Sequence, residues 1–311
     1  MNEVFQINRE SLALISEYYS DFAVSSPEEH ILYLFKAPDL TVTVFKSLKV
    51  MLQGKAARDE YLMWADMLGF DPLPQTLPQT NDSPKEKVLY SIKDNQKRII
   101  GSDEVGTGDF FGPVVVASAL VCPKDLPLID SLSIRDSKKM SDEAILKAGD
   151  ELVKAIPNIV LVVSDEKYNS LVEEGYNLNK MKAYLHNHAI RKLASLHPDG
   201  YDQVVVDEFC PENAFYAYLE GQKVYRGITF RQRAESSYAA VAAASVLARR
   251  AFLLAMEDLN TSIGINLPFG ASVAVDMVGK RIALEKGFPI FRQIAKLNFK
   301  NMQKIHDLMD K

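Results

Sequence analysis

The spacing of hydrophobic residues predicts a small α+β region at the start of the chain. Apolar residues recur at helical spacing over residues 9–23, with the sequence RESLALISEYYSDFA, and again over residues 55–68. Between them, the apolar segments 31–37, 41–47 and 49–54 are typical of strands. Together these elements predict a small sheet with helices on one side.

The alternation of residues within these strands predicts the two faces of that sheet. Successive side chains of a strand point to opposite faces, so one face, directed at the helices, would carry Val42, Val44, Val50 and Leu52. The other face would carry Thr41, Thr43, Phe45, Lys49, Met51 and Gln53. Such a face could hold a nucleic-acid backbone, with Thr43, Lys49 and Gln53 as candidate contacts. An ordinary solvated sheet face would have the same pattern.

Longer elements follow from residue 97 and predict a second, α/β domain. They are strands over 97–104, 113–121 and 158–166, a helix over 177–197, strands over 202–209 and 223–231, and a helix over 236–259. Three strands followed by alternating helix and strand are typical of a mixed sheet. The last helix is expected to begin at Ser236 or Ser237 as its N-cap. The helix over 177–197 is expected to bury one face, formed by Leu178, Met181, Leu185, Ala189, Leu193 and Leu196.

The segment DPLPQTLPQTNDSP, residues 71–84, separates the two regions. Its prolines stand among polar residues, a composition that favours an extended linker. We therefore expect an N-terminal domain over residues 1–70, a proline-rich linker over 71–86 and a second domain over 87–311.

Composition and charge limit how such a protein could meet a nucleic acid. The chain is 47% hydrophobic and 25% charged, which suffices for a core, and its formal net charge is −5. A nucleic-acid partner would therefore have to use local basic patches. The stretch 277–311 is one candidate, because it carries eight basic and three acidic residues.

Cysteine usage and apolar runs indicate the compartment. Cys122 and Cys210 are the two cysteines of the sequence, and neither belongs to a pair with metal or redox spacing. This usage fits a reducing cytosol. The start of the sequence lacks the pattern of a signal peptide, and the apolar run PVVVASALVC is too short to span a bilayer. A soluble cytoplasmic protein with no membrane partner is expected.

Four carboxylates fall at predicted strand ends or helix starts. Asp103 and Glu104 lie where a strand meets the glycine-rich turn VGTGDFFG, Asp207 ends the apolar run QVVVD, and Glu235 precedes the long helix. Ligand sites in mixed α/β sheets form at such places. Adjacent strand residues point to opposite faces, so Asp103 and Glu104 can share a site only if the strand ends or kinks there.

Gathered carboxylates would repel one another, and a divalent cation would remove that repulsion. Hard oxygen ligands without His or Cys favour Mg²⁺ or Mn²⁺ over zinc. Two ions roughly 4 Å apart would clamp the attacking and leaving oxygens of a phosphodiester. The alternative is that the acids are scattered caps and surface charges, and Asp276 is a further candidate ligand.

Two other motifs favour simpler interpretations. GTGDFFG has three residues between its second and third glycines, where a dinucleotide fingerprint has two, and it precedes a strand instead of a helix. No organic cofactor is expected. His186 and His188 lie two residues apart on a helix and point to different faces, so both are expected at the surface and not as ligands.

Five segments of the chain resemble bacterial ribonuclease HIII, the type 2-related branch of the ribonucleases H. They are DEVGTGDFFGP, RDSKKMSD, VVVDEF, AESSYAAVAAASVLAR and LPFGASVAVD, and the resemblance covers essentially the whole chain. It implies an α/β, ribonuclease H-like fold with a mixed five-stranded sheet flanked by helices. A small α+β domain similar to the TATA-binding-protein fold would precede it and grip the substrate. The implied activity is Mg²⁺- or Mn²⁺-dependent endonucleolytic cleavage of the RNA strand of RNA–DNA hybrids.

The resemblance also implies the acids of the site. It assigns metal binding and catalysis to Asp103, Glu104, Asp207 and Glu235, the last of which is Asp in some members. Asn298 and Tyr238 stand where the family often has His, and neither position is a metal ligand in the family pattern.

The implied nucleic-acid contacts lie in two loops. The main chain of Gly106, Thr107 and Gly108 would approach the 2′-hydroxyls of the RNA strand in the minor groove, which side chains there would block. Thr107 stands where type 2 enzymes usually carry Arg, which indicates a type 3 enzyme, that is, a ribonuclease HIII. Incision at a single ribonucleotide embedded in DNA is therefore less expected. The family's phosphate-contacting segment corresponds to Ser137, Lys138 and Lys139.

Two-metal hydrolysis by a monomer, leaving 5′-phosphate and 3′-hydroxyl ends, is our hypothesis from the sequence. One ion would be held by Asp103 and Asp207, and a second would be shared by Asp103, Glu104 and Glu235. Three alternatives are a hybrid-binding protein without catalysis, a type 2 enzyme, and a metal-dependent phosphatase acting on small molecules. The four acids count against the first and Thr107 against the second. The N-terminal sheet and the basic C-terminal stretch count against the third.

Overall fold

The computed structural model describes residues 2–25, 28, 30–37, 39–68, 96–134 and 140–310. The predicted linker, 71–86, and the predicted phosphate-contacting residues Ser137, Lys138 and Lys139 lie outside these residues. The chain divides into two compact units, Met1–Ser83 with Ala271–Gly279 and Pro84–Gly270 with Lys280–Lys311. The predicted second domain covers all of 87–311, whereas Ala271–Gly279 packs with the first unit.

The first unit is a five-stranded antiparallel sheet with helices against one face. Its elements are β1 Asn2–Gln6, α1 Arg9–Tyr18, β2 Ala23–Val24, β3 Ile31–Ala37, β4 Leu40–Phe45, β5 Lys49–Gly54 and α2 Ala57–Leu68. The strand order is β1-β5-β4-β3-β2. The predicted helix-facing residues are fully buried in one core with Ile15 of α1 and Trp64 of α2. The assignment of that face is confirmed, while β1 and β2 were not predicted.

The other face of this sheet has an apolar centre. Thr43 pairs with Leu34 on one side and Met51 on the other. Side chains directly opposite one another on a sheet cover each other, and Thr43 is only 4% exposed. Lys49 is exposed and Gln53 is half-buried. Of the three predicted contacts on this face, Lys49 therefore offers the most accessible polar group.

A buried carboxylate ties the segment Ala271–Gly279 to the first unit. Glu60 of α2 is 1% exposed and accepts a hydrogen bond from the hydroxyl of Tyr19 at 2.6 Å. The backbone N–H of Ala274 donates to the other oxygen of Glu60 at 3.3 Å, and Ala274 is fully buried in the core of this unit. A segment from late in the sequence thus completes the N-terminal core.

The second unit is built on a mixed five-stranded sheet, as predicted. The strands are β6 Ile99–Val105, β7 Val114–Val121, β8 Asn158–Val163, β9 Gln203–Asp207 and β10 Ile228–Arg231, in the order β10-β9-β6-β7-β8. The β6–β9 and β9–β10 pairs are parallel, whereas the β6–β7 and β7–β8 pairs are antiparallel. The helices are α3 Leu126–Ser131, α4 Asp142–Ala155, α5 Asp165–Glu173, α6 Leu178–Leu196, α7 Glu212–Tyr218, α8 Ala239–Ile263, α9 Val273–Lys286, α10 Phe291–Ile294 and α11 Lys300–Met309. Of these, α9 begins in the segment that packs with the first unit.

Helices α6 and α8 cover opposite faces of this sheet. Gly101 of β6 faces α8 so closely that a Cβ atom would lie 2.2 Å from the carbonyl carbon of Ala240. Its neighbour Ser102 contacts His186 of α6 on the other face. Helix α8 is long and apolar enough to cross a membrane by length and composition, but 67% of its apolar window is buried inside the protein. Packing in the core accounts for its composition.

Two predictions about these helices were wrong. The N-cap of α8 is Tyr238, not Ser236 or Ser237, because residues Ala234–Ser236 form a separate 3-10 turn ahead of the helix. On α6, Met181, Ala189 and Leu193 are buried as expected, but Leu196 is 60% exposed. Leu196 is the last residue of α6.

Candidate active site

Two of the predicted acids lie on neighbouring parallel strands, toward their carboxyl ends. The register pairs Ser102 of β6 with Val206 of β9. Asp103 and Asp207 are the next residue of each strand, so they follow side by side. Asp207 is also the last residue of β9 and pairs with Arg231 of β10.

Asp207 holds the turn that carries the third acid. Its Oδ1 atom accepts a hydrogen bond of 2.8 Å from the backbone N–H of Ala234. Ala234 begins the 3-10 turn in which Glu235 is 8% exposed. Arg233, directly before the turn, has a φ of 53°, a left-handed conformation that is strained for a residue with a side chain. This strained residue leads into the turn that carries Glu235, and the first residue of that turn is hydrogen-bonded to Asp207.

Asp103 is buried on the α8 side of β6. It is 9% exposed, and its Oδ1 atom accepts the backbone N–H of Glu104 at 2.8 Å. Burial, and then repulsion from Glu104 and Asp207, raise the pKa of Asp103 to about 7, although a hydrogen bond from Ser245 of α8 acts in the opposite direction. This carboxyl group would lose most of that penalty beside a cation.

Glu104 points to the opposite face, because β6 continues through Val105 and does not end at the acid pair. Lys182 of α6 donates to Oε1 at 2.7 Å, and Nε2 of His186 lies 2.8 Å from Oε2. Burial alone would raise the pKa of Glu104, but the contacts with His186 and Lys182 outweigh it and lower that pKa. The charge of Glu104 is thus already compensated within the protein.

The expectation that His186 is a surface residue was wrong, while His188 is exposed as expected. The side chain of His186 is 0% exposed and contacts a predicted catalytic acid. The sequence does contain a signal, because Lys182, His186 and Ile190 are spaced by four and therefore share one side of α6. Lys182 and Ser245 were not singled out from the sequence.

A buried lysine forms hydrogen bonds with the main chain of the predicted glycine loop between β6 and β7. Lys296, 0% exposed, donates to the carbonyl oxygen of Asp109 at 2.8 Å and to that of Gly112. Gly106 has a φ of 89°, and a Cβ atom there would lie 2.0 Å from the carbonyl oxygen of Pro113. Gly108 is exposed, its φ lies outside the left-handed region, and nothing lies within 4 Å of its Cβ position. The fold itself demands glycine at 106 and not at 108.

The remaining sequence candidates have other surroundings. Asp276, the further candidate ligand, is 3% exposed and belongs to the first unit. Asn298 hydrogen-bonds the hydroxyl of Tyr168, and Tyr238 is the N-cap of α8. Thr107 is half-buried in the glycine loop.

The donor chemistry of the four acids fits a hard divalent cation, but the side chains are not arranged around one. Carboxylate oxygens are the ligands that Mg²⁺ and Mn²⁺ prefer, and Asp103 carries charge that burial makes costly. Among the residues that the structure describes, no three Asp, Glu, His or Cys side chains converge closely enough to hold a metal ion as they stand. The engagement of Glu104 with α6 is one visible reason.

Comparisons with known proteins point to one family. A family model described as ribonuclease HII matches residues 100–302, and one described only as a domain of unknown function matches residues 2–67. The chain is 35% identical over its full length to the ribonuclease HIII of Bacillus subtilis, covering 98% of that protein. It is 36% identical to the ribonuclease HIII of Geobacillus kaustophilus over 99% of this chain and 98% of the relative. A crystal structure of Bst-RNase HIII in complex with Mn²⁺ has a TM-score of 0.68 at 33% identity, with 99% of both chains covered.

Proposed function

The chain belongs to the ribonuclease HII family, and on that premise we propose that it is a metal-dependent endonuclease that hydrolyses the RNA strand of RNA–DNA hybrids. Full-length relatives named ribonuclease HIII, and the Mn²⁺ complex of one of them, support this activity and its dependence on a divalent ion. Mg²⁺ or Mn²⁺, with two ions per site, are the cofactors that we propose.

The observation that carries the proposal is that two acids lie side by side on neighbouring strands and that a third lies on a turn bound to one of them. Asp103 lies beside Asp207, and Asp207 holds the turn of Glu235 through the Ala234 N–H at 2.8 Å. Burying carboxylates together is unfavourable without a compensating charge. A protein that only bound nucleic acid would gain by carrying Lys or Arg at such positions.

The proposed reaction divides work between these acids and the loops around them. When bound, divalent ions would supply an activated water and stabilise the leaving oxygen of an in-line displacement. Asp103, Asp207 and Glu235 would bind the ions from the α8 side, and Glu104 would join from the α6 side. The water oxygen would bond to phosphorus as the bond from phosphorus to the 3′ oxygen breaks. The water would release a proton to solvent and the 3′ oxygen would take one up, which would leave 5′-phosphate and 3′-hydroxyl ends.

Substrate recognition would come from other parts of the chain. We propose that the main chain at Gly106, Thr107 and Gly108 contacts the 2′-hydroxyls of the RNA strand. The open face of the first unit, above all Lys49, would contact the hybrid backbone. Ser137, Lys138 and Lys139 stay predicted phosphate contacts. A cytoplasmic location and a monomeric state are likewise predictions.

Cleavage of labelled duplexes in Mg²⁺ and in Mn²⁺ tests the proposal. The panel would hold an all-RNA strand on DNA, a single ribonucleotide in duplex DNA, and double-stranded RNA, each with wild type and with Asp103→Asn. We expect wild type to cut only the full hybrid and the variant to lose cutting while it still binds the hybrid. Equal cutting at a single ribonucleotide would indicate type 2 specificity. If wild type binds the hybrid but does not cut it in either metal, the enzymatic proposal is refuted.

A further inference from the structure

Both carboxylate oxygens of Glu104 are already engaged by helix α6. Lys182 donates to Oε1 at 2.7 Å, and His186 contacts Oε2 at 2.8 Å. The side chains of Lys182 and His186 are 9% and 0% exposed. Charge-assisted hydrogen bonds in such a buried setting are stronger than those at a surface. A cation of the protein itself therefore holds this proposed metal ligand.

Neighbouring side chains fix the two partners of Glu104 in place. The ring of Phe209 stacks on His186, with centroids 5.2 Å apart, and lies 4.1 Å from the ammonium of Lys182. The Oγ atom of Ser102 lies 2.7 Å from Nδ1 of His186, and Ser118 donates to that Oγ at 2.9 Å. His186 is thus anchored to β6 and β7 and presents Nε2 to Glu104 in one orientation.

Asp103, on the other face of β6, has different hydrogen-bond partners. Asp103 receives its hydrogen bonds from the backbone of Glu104 and from Ser245 of α8. A divalent ion bound through Asp103 and Asp207 would not have to compete with Lys182 for oxygen lone pairs. An ion that takes Glu104 as a ligand must share or replace the ammonium that is already there.

We propose that Lys182 is a positioning residue whose ammonium holds Glu104 on the α6 side until a divalent ion displaces it. Lys182 thereby weakens the metal-binding step that uses Glu104 and makes the two proposed metal sites unequal in affinity. This inference rests on the proposed function, since Glu104 is a metal ligand only within it. His186 keeps the carboxylate aligned while the ammonium leaves.

Mn²⁺ binding to Lys182→Met tests this role directly. Free Mn²⁺ would be followed by electron paramagnetic resonance, with calorimetry in parallel, both without substrate. The Mn²⁺ affinity of the binding step that depends on Glu104 should increase about tenfold, because changes to the partners of metal ligands alter metal affinity on this scale. Lys180→Met is the matched control, because it removes the same charge from α6 where the ammonium lies 4.0 Å from the ring of Tyr176. Screening should limit its effect to less than about twofold.

A double-mutant comparison separates competition from a general charge effect. In a Glu104→Gln background, Lys182→Met should leave Mn²⁺ binding unchanged, because the ligand for which Lys182 competes has lost its charge. The same tightening in that background would overturn the inference, as would equal effects of Lys182→Met and Lys180→Met. Lys182→Gln keeps a polar side chain and should tighten Mn²⁺ binding in the same way, which keeps the test available if the Met variant does not fold.

Failure of the inference and failure of the proposed function give different results. Wild type that cleaves hybrids and binds Mn²⁺, alongside a Lys182→Met variant with unchanged Mn²⁺ affinity, would overturn only the role of Lys182. Wild type that neither binds Mn²⁺ nor cleaves hybrids would overturn both.

Discussion

His186, whose side chain on α6 is fully buried, contacts the carboxylate of Glu104, and burying that carboxylate without such a contact would be unfavourable. Replacing His186 with Ala would remove its contacts with Glu104 and Ser102 and leave a cavity beside a charge. Breaking a buried pair of this kind costs about 3–5 kcal/mol, so we expect His186→Ala to lower the free energy of unfolding by about 3 kcal/mol. Urea denaturation followed by circular dichroism would measure it.

Exposed His188, two residues further along α6, provides the control for that prediction. His188→Ala should change the free energy of unfolding by less than about 0.5 kcal/mol, as is usual for surface positions. Similar values for the two variants would contradict the structural role assigned to His186.

The buried carboxyl group of Asp165 should make the free energy of unfolding depend on pH. It is 1% exposed, 3.9 Å from the ammonium of Lys296, and burial raises its pKa to about 7 from 3.8 while it lowers the pKa of Lys296. The folded state thus binds the proton of Asp165 more tightly than the unfolded chain does. This contribution to stability is complete at low pH and is lost as the pH rises from 3.8 to about 7.

We therefore expect the free energy of unfolding of wild type, relative to Asp165→Asn, to fall as the pH rises through that window and to level off above it. Urea titrations across the window would measure the difference. A difference that rises with pH would contradict the assigned direction.

At this scale the sequence allowed the acids to be named but not their partners. Asp207 ends an apolar run and Asp103 adjoins glycines, and both signals are local in the chain. The contacts of Glu104 with Lys182 and His186 join positions 78 and 82 residues apart. Which side of α6 meets β6 depends on packing, and spacing along the helix alone does not determine it.

At the scale of elements, the loop between β6 and β7 uses its glycines for different reasons. Gly106 is required by its backbone conformation and by the nearby carbonyl of Pro113, whereas Gly108 faces open space. We expect Gly108→Ala to keep the stability of wild type within about 0.5 kcal/mol. The added methyl group should weaken hybrid binding by roughly tenfold, or about 1.4 kcal/mol, because it would stand between the loop and the RNA strand.

Fluorescence anisotropy of a labelled hybrid, in an Asp103→Asn background to prevent cleavage, would measure this affinity. A DNA duplex of the same sequence should be affected less, since it lacks 2′-hydroxyls. Unchanged hybrid affinity in Gly108→Ala would contradict the proposed approach of the main chain.

The core strands and long helices were predictable because each has the periodic spacing of hydrophobic residues that is typical of its element. The strands β7, β8, β9 and β10 fall within their predicted segments, β6 continues past its predicted end to Val105, and α8 covers most of its predicted span. The short edge strand β2, two residues long, and β1 lack sufficient alternation to be recognised. Of the two serines expected to cap α8, Ser236 belongs to a 3-10 turn and Ser237 follows it. Asp207 stabilises this turn through a tertiary contact, which local sequence does not reveal.

For the whole molecule, the open face of the first unit predicts how affinity responds to salt. Lys49 is exposed on this face, and a single phosphate contact contributes about 0.9 to the slope of log affinity against log salt. We expect Lys49→Gln to weaken hybrid binding and to reduce that slope by about 0.9. Lys55→Gln, at a side chain 89% exposed and paired with Asp39, is the control and should alter the slope less. Equal slopes for Lys49→Gln and wild type would contradict a backbone contact at Lys49.

The division of the chain into two units could be predicted only in part from composition. Prolines marked the segment 71–84, but no local signal shows that Ala271–Gly279 packs with the first unit. Ala274 belongs to an apolar stretch that could equally serve the second unit. Its burial in the first core depends on the fold of both the early strands and the late helix.

That late segment also sets the order in which the protein can mature on the ribosome. Domains generally fold as units, starting from the N-terminus as it emerges. Here the N-terminal core receives Ala274, and Glu60 receives the Ala274 N–H, only after the strands of both units have been translated. The first domain to be made is therefore among the last to be finished, and a ribosome that stalls within the second unit would leave it incomplete.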